Sequence, residues 1–203
     1  MAAPDQPRMR SRKIARCAGC GLYPEICVCA SLPVLQTRVE VVVLVHRLER
    51  FKSTNTGRLA ARMLARGQCV TRERLEPLAI EPVPRSYVLF PRPDALPLHD
   101  ALALGIDRLI VPDGTWPQAA RLARRDPLCA GIPCVKLTSA PASRYALRRS
   151  ARSDALSTLE AVAEALRILE NDDVADRMHG AFIPWIERSL AVRAGAHERR
   201  PDQ

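Results

Sequence analysis

Val39-Glu40-Val41-Val42-Val43-Leu44-Val45 is an almost unbroken run of β-branched and apolar side chains. A strand with one face in water alternates apolar and polar residues. A run that is apolar at nearly every position suits a strand covered on both faces, as in a parallel sheet flanked by helices. Three further short runs, 86–90, 108–112 and 133–137, read as strands of the same kind. Between them lie helical patterns: 58–66 places Leu59, Met63 and Leu64 on one face and stops at Gly67, and 116–125 is a second short helix. Later, Ser157 and Glu160 form a capping box ahead of an apolar stripe of Leu159, Val162, Leu166 and Leu169. Another amphipathic stretch, 174–192, follows the acidic break at 171–173, with a kink expected at Pro184, and 194–203 reads as a frayed polar tail. Strands alternating with helices give an α/β class with a mainly parallel sheet and flanking helices.

The strands run into polar or Gly/Pro-containing loops at His46, Pro91, Asp113 and Thr138. Open parallel sheets bind ligands beyond the carboxyl ends of their strands, so these loops are where a site is expected.

The chain has 203 residues, 47% of them apolar, enough for one main domain and a small appendage. The division expected is 1–35, a basic N-terminus with a cysteine knuckle, and 36–203, the main domain. No apolar run approaches the roughly 20 residues of a membrane helix, and the basic segment 1–16 has no apolar segment behind it. A soluble, cytoplasmic protein is expected. The net charge of +9 attracts polyanions. Basic residues cluster at Arg8, Arg10, Arg12, Lys13 and Arg16, at Arg121, Arg124 and Arg125, and at Arg144, Arg148, Arg149 and Arg152. Arginine binds phosphate bidentately, so the clusters suit an RNA backbone; a solvated basic surface is the other reading.

Seven cysteines, an odd number with no secretory signal, argue against a disulfide framework. Cys17, Cys20, Cys27 and Cys29 form CxxC, six residues, then CxC, with Gly19 and Gly21 permitting tight turns. Four such thiolates complete the closed tetrahedral shell of a structural zinc, with an iron–sulfur cluster or reduced thiols as alternatives. Cys69, Cys129 and Cys134 lie in or beside apolar segments and read as small buried hydrophobes.

Five blocks follow one another in order: Cys17 to Cys29; His46-Arg-Leu-Glu49-Arg-Phe-Lys52-Ser-Thr54-Asn55-Thr56-Gly57-Arg58-Leu59; Val111-Pro112-Asp113-Gly114-Thr115-Trp116-Pro-Gln118-Ala119; Tyr145-Ala-Leu-Arg148-Arg149; and Leu156-Ser157-Thr158-Leu159-Glu160-Ala161. In order and spacing they resemble the DTW-domain family across most of the chain. The resemblance implies a knotted, SPOUT-like α/β fold. It also implies transfer of the 3-amino-3-carboxypropyl group of S-adenosylmethionine to N3 of a tRNA uridine, releasing methylthioadenosine.

Under that resemblance Asp113 is the candidate general base, or the acceptor that orients the uracil; an Asp-Gly turn after a strand is the plainer reading. Phe90, Pro91, Val111, Pro112, Gly114, Leu156, Ser157 and Thr158 are candidates for the cofactor, although a capping box alone accounts for Ser157 and Glu160. Trp116 is a stacking surface for a base or a core aromatic, and Gln118, beside Thr115, is suited to an amide edge. Lys52, Thr54, Asn55, Thr56 and Gly57 open a helix whose free amides suit an anion, with N-capping by Thr54 or Asn55 as the ordinary reading. His46 and Glu49 are placed to hydrogen-bond across the site, and Arg144, Arg148 and Arg149 to meet RNA phosphates. Two other functions share these features: a knotted-class RNA methyltransferase, and a non-catalytic zinc-containing RNA-binding protein.

Overall fold

A computed structural model of the chain describes residues 15–73, 80–139, 141–145 and 156–194. Six strands form one sheet: β1 (Glu40–His46), β2 (Gly67–Arg72), β3 (Ser86–Leu89), β4 (Leu96–Pro97), β5 (Arg108–Asp113) and β6 (Cys134–Lys136). Their order is β2-β1-β5-β3-β6-β4, and every pairing is parallel. The helices are α1 (Thr56–Arg62), α2 (Trp116–Arg125), α3 (Thr158–Leu169) and α4 (Asp172–Arg193).

The valine run is β1, and the reason for its composition is visible in the packing. Val41, Val43 and Val45 face a core shared with Leu59 of α1, Leu159, Val162 and Leu166 of α3, and Phe182 and Trp185 of α4. Val42 and Leu44 face a second core with Ile110, Ala119, Leu122 and Ala123 on the α2 side. Each such side chain contributes about 1.5–3 kcal/mol relative to an exposed one, and both faces must be apolar for β1 to collect it. Two buried ion pairs fasten the sheet: Glu40 with Arg108 across β1 and β5, at 2.8 Å, and Arg72 at the end of β2 with Asp126 just past α2. Removing one member of either pair would strand a buried charge.

Four elements differ from the sequence reading, among them the two-residue edge strand β4, which carries no apolar run and was not anticipated. Strand β2 was not anticipated, because Gly67-Gln-Cys-Val-Thr-Arg72 is polar and half-exposed, as an edge strand can be, and carries no apolar run. The first helix starts and ends earlier than 58–66, and Gly67 opens β2 instead of closing the helix. A Cβ there would lie 2.1 Å from the Ala61 carbonyl oxygen, so glycine is required by close backbone approach. Helix α4 begins in the acidic break, where the Asn171 side chain accepts from the Val174 amide at 3.0 Å and Asp172 and Asp173 sit favourably in the first turn. It continues as one helix through Pro184. Among the described residues no helix is long and apolar enough to cross a membrane.

Candidate active site

Asp113 is the last residue of β5 and is 5% exposed. The Asn55 Nδ2 donates to its Oδ2 at 2.5 Å, and the Thr158 hydroxyl donates to its Oδ1. Asn55 is held in that orientation because its Oδ1 accepts from the Arg58 amide at 2.7 Å, making it the N-cap of α1. Three separated motif blocks thus meet on one buried carboxylate. Gly57 makes the meeting possible: a Cβ on it would lie 2.8 Å from Asp113 Cγ and 2.7 Å from Val43 Cγ1.

The start of α3 is built as the capping box requires. Ser157 Oγ accepts from the Glu160 amide at 3.3 Å, and Glu160 Oε2 accepts from the Ser157 amide at 2.8 Å. Glu160 does more, accepting from Ser143 Oγ at 2.8 Å and from the Arg144 amide at 2.6 Å, which fastens the 143–145 segment to the helix. Tyr145 continues the connection. Its hydroxyl donates to the Thr54 carbonyl at 3.0 Å while its ring stacks on Phe182 and Trp185. Arg144 is exposed; Arg148, Arg149 and Arg152 lie outside the described residues.

On the other side of Asp113, the ladder between β3 and β5 stops at Val88 and Ile110, while Val111, Pro112 and Asp113 continue opposite β1. Pro112 therefore sits where no amide is needed towards β3. Buried Phe90 and half-exposed Trp116 flank these strand ends, with ring centroids 5.2 Å apart and tilted by 40°. Trp116 is 47% exposed, so of its two sequence readings the core aromatic is corrected. Pro91 is exposed and Leu156 half-buried. The Gln118 side-chain Oε1 accepts from the Thr115 amide at 2.7 Å at the start of α2, and Gly114 leaves room for it.

His46 and Glu49 are turned to local partners: His46 Nδ1 accepts from the Leu48 amide at 3.3 Å, and buried Glu49 takes the Lys52 ammonium at 2.7 Å. Burial, aided by Arg47, holds the His46 pKa below its ordinary value, so the ring is neutral at pH 7.

The four cysteines converge. Sγ separations are 3.5 Å for Cys17–Cys29, 3.6 Å for Cys20–Cys27 and 3.5 Å for Cys27–Cys17, with all four within 4.8 Å. Four sulfurs about 2.3 Å from a tetrahedral zinc stand about 3.8 Å apart, so the group fits that ion. Backbone amides led by that of Cys20 lower the Cys17 thiol to about 6, while burial pushes Cys29 up to about 12. Gly19 is needed because a Cβ would meet Cys29 Sγ at 2.7 Å. Gly21, at φ +74°, passes so close to Ser53 that a Cβ would lie 2.3 Å from its carbonyl oxygen.

This knuckle is built into the main core through Cys20, Leu22 and Val28. Trp185 Nε1 donates to the Cys20 carbonyl at 2.7 Å, and Arg188 donates to those of Ile26 and Cys27. Arg58, assigned no role from sequence, donates to the carbonyls of Ala18, Arg50 and Lys52, each at 3.2 Å, and so joins knuckle to site loop. Cys129 and Cys134 are buried as expected; Cys69 is corrected to an exposed position on β2.

Fold and site together define an α/β protein with a four-cysteine knuckle and a hydrogen-bonded carboxylate at the carboxyl end of a parallel sheet. The chain belongs to the DTW domain family, whose sequence profile matches residues 14–190. It is similar to tRNA-uridine aminocarboxypropyltransferase 2 of Drosophila melanogaster, 30% identical over 179 residues that make up 82% of this chain and 70% of that protein. The proteins of the same name from Macaca fascicularis and Mus musculus are 26% and 27% identical over 176 and 180 residues. Those stretches cover 80% and 82% of this chain and 59% and 60% of the relatives. No solved structure matches the chain.

Proposed function

We propose that the protein is a tRNA-modifying transferase that moves the 3-amino-3-carboxypropyl group of S-adenosylmethionine to N3 of a uridine. The observation that carries this reading is the convergence of Asn55, Asp113 and Thr158 from three family blocks on one buried carboxylate. Family membership and the names of the relatives supply the substrate class.

Uracil N3 is a poor nucleophile until its proton leaves. In the proposed step the N3–H proton passes to the Asp113 carboxylate and the N3 electron pair forms the new N–C bond. The C–S bond breaks, and its electrons return to sulfur as methylthioadenosine departs. Asn55 and Thr158 hold Asp113 in one orientation, so a uracil docked against the carboxylate meets a fixed acceptor. The cofactor is assigned to the region where β3 and β5 cease to pair, beside Phe90, Val111, Pro112 and Gly114 and the α3 start at Leu156, Ser157 and Thr158. Cys17, Cys20, Cys27 and Cys29 would give a zinc ion a full set of protein ligands, which suits a structural role and would leave no position for substrate.

Asp113→Asn tests the assignment, because the network survives the change. The new carbonyl oxygen still accepts from Asn55, and the Thr158 hydroxyl can accept from the new amide. Turnover is expected to fall by about 100-fold or more with cofactor binding retained. Unchanged turnover would remove Asp113 from the chemistry.

A further inference from the structure

A cavity of about 410 Å³ opens at the ends of β1 and β2, beneath the loop that leads to α1. Cys69 and Thr71 of β2 line it on one side, Asn55 and Arg58 on another, and Arg50 and Phe51 stand at its rim. Val45, also in its lining, pairs in register with Asp113, and Asn55 spans the gap between cavity and carboxylate. The cavity is therefore a neighbour of the proposed reaction centre, one strand away from it. Its volume lies within the range of small-ligand pockets.

The chemistry of this lining is that of a nucleotide site. Phe51 is 85% exposed and nearby Leu48 58%, an unusual outlay of apolar surface at the mouth of a pocket. A nucleobase can stack on such a ring. The Arg50 guanidinium lies 4.9 Å from the Phe51 ring centroid, and its ion pair with Glu73 is exposed on both sides. Exposed pairs contribute little, so a phosphate can displace Glu73. Arg58 lines the cavity, donates to carbonyls and makes no ion pair among the described residues, so its guanidinium can take a phosphate with the N–H groups those carbonyls leave over.

Resting on the RNA substrate proposed above, we infer that this cavity holds an unpaired nucleotide adjacent in the strand to the modified uridine. Its base stacks on Phe51 and its phosphate lies between Arg50 and Arg58. The uridine itself must face Asp113, which Asn55 separates from the cavity, so the occupant is its neighbour.

Two variants of the 203-residue, zinc-loaded chain test this. Cys69→Trp fills the cavity from the exposed edge strand, Phe51→Ala removes the platform, and Cys69→Ser is the control. Binding of an unmodified tRNA transcript and of S-adenosylmethionine is measured by calorimetry. Both variants are expected to weaken RNA binding about tenfold or more while cofactor binding stays unchanged, and Cys69→Ser is expected to bind as the parent does. RNA binding unchanged in Phe51→Ala and Cys69→Trp would overturn the inference. So would loss of cofactor binding in Cys69→Trp, which would give the cavity to the cofactor. If Cys69→Trp does not fold, Phe51→Ala decides, together with protection of Cys69 from a maleimide by the tRNA; absence of both effects overturns the site. The readouts are binding alone, so failure of group transfer would sink the proposed reaction without deciding this site.

Discussion

At the scale of single residues, the site is held by contacts too close for larger side chains. Gly57→Ala would place a methyl group within 3 Å of both Val43 and Asp113. Overpacking of that kind costs roughly 1–3 kcal/mol, so calorimetry should show a lower Tm; an unchanged Tm would mean α1 has room to move. His46 predicts a pH effect of definite sign. Its pKa is depressed below the ordinary 6.5, so the unfolded chain binds the proton more readily. The stability linked to this ring is present above pH 6.5 and lost as pH falls below it. His46→Gln should flatten the dependence of Tm on pH between about 7 and 5; an unaltered slope would point to other groups. The Asn55 cap was legible from sequence because helix starts announce themselves locally, whereas Asp113 was singled out by the resemblance of its block, an Asp-Gly turn being the plainer local reading. That the two bond to each other was not legible, since they lie 58 positions apart and only the fold brings them together.

At the scale of elements, the knuckle and the loop before α1 behave as one piece. Gly21 against Ser53, and Arg58 bridging Ala18, Arg50 and Lys52, transmit the knuckle's shape to the segment carrying Asn55. Removing the metal with a chelator should therefore lower Tm and, before global unfolding, reduce hydrogen-exchange protection at Asn55 and Arg58 as well as in the knuckle. Loss of protection confined to residues 17–29 would show that the two are independent. The cysteine spacing made the metal group readable, and the capping box made α3 readable. Arg58 and Tyr145 escaped because their partners are backbone carbonyls, which leave no trace in residue type. Strand β2 escaped for a related reason: its place is fixed by pairing with β1 rather than by its own apolar content.

At the scale of the whole molecule, the parallel sheet gathers the ends of β1 and β5 on one side, and the helix starts of α1 and α3 meet them there. The valine run pointed to a strand covered on both faces, since a half-exposed strand would alternate apolar and polar residues, and the alternation of strands with helices pointed to the parallel sheet. The strand order was not legible, because hydropathy records burial and not neighbours. The central claim concerns which carbon leaves the sulfonium, and it is tested most directly by incubating the protein with unmodified tRNA and S-adenosylmethionine labelled either in the carboxyl group or in the methyl group. The account predicts carboxyl label in the RNA and methyl label in released methylthioadenosine. Methyl label in the RNA would make the protein a methyltransferase and contradict the proposed reaction.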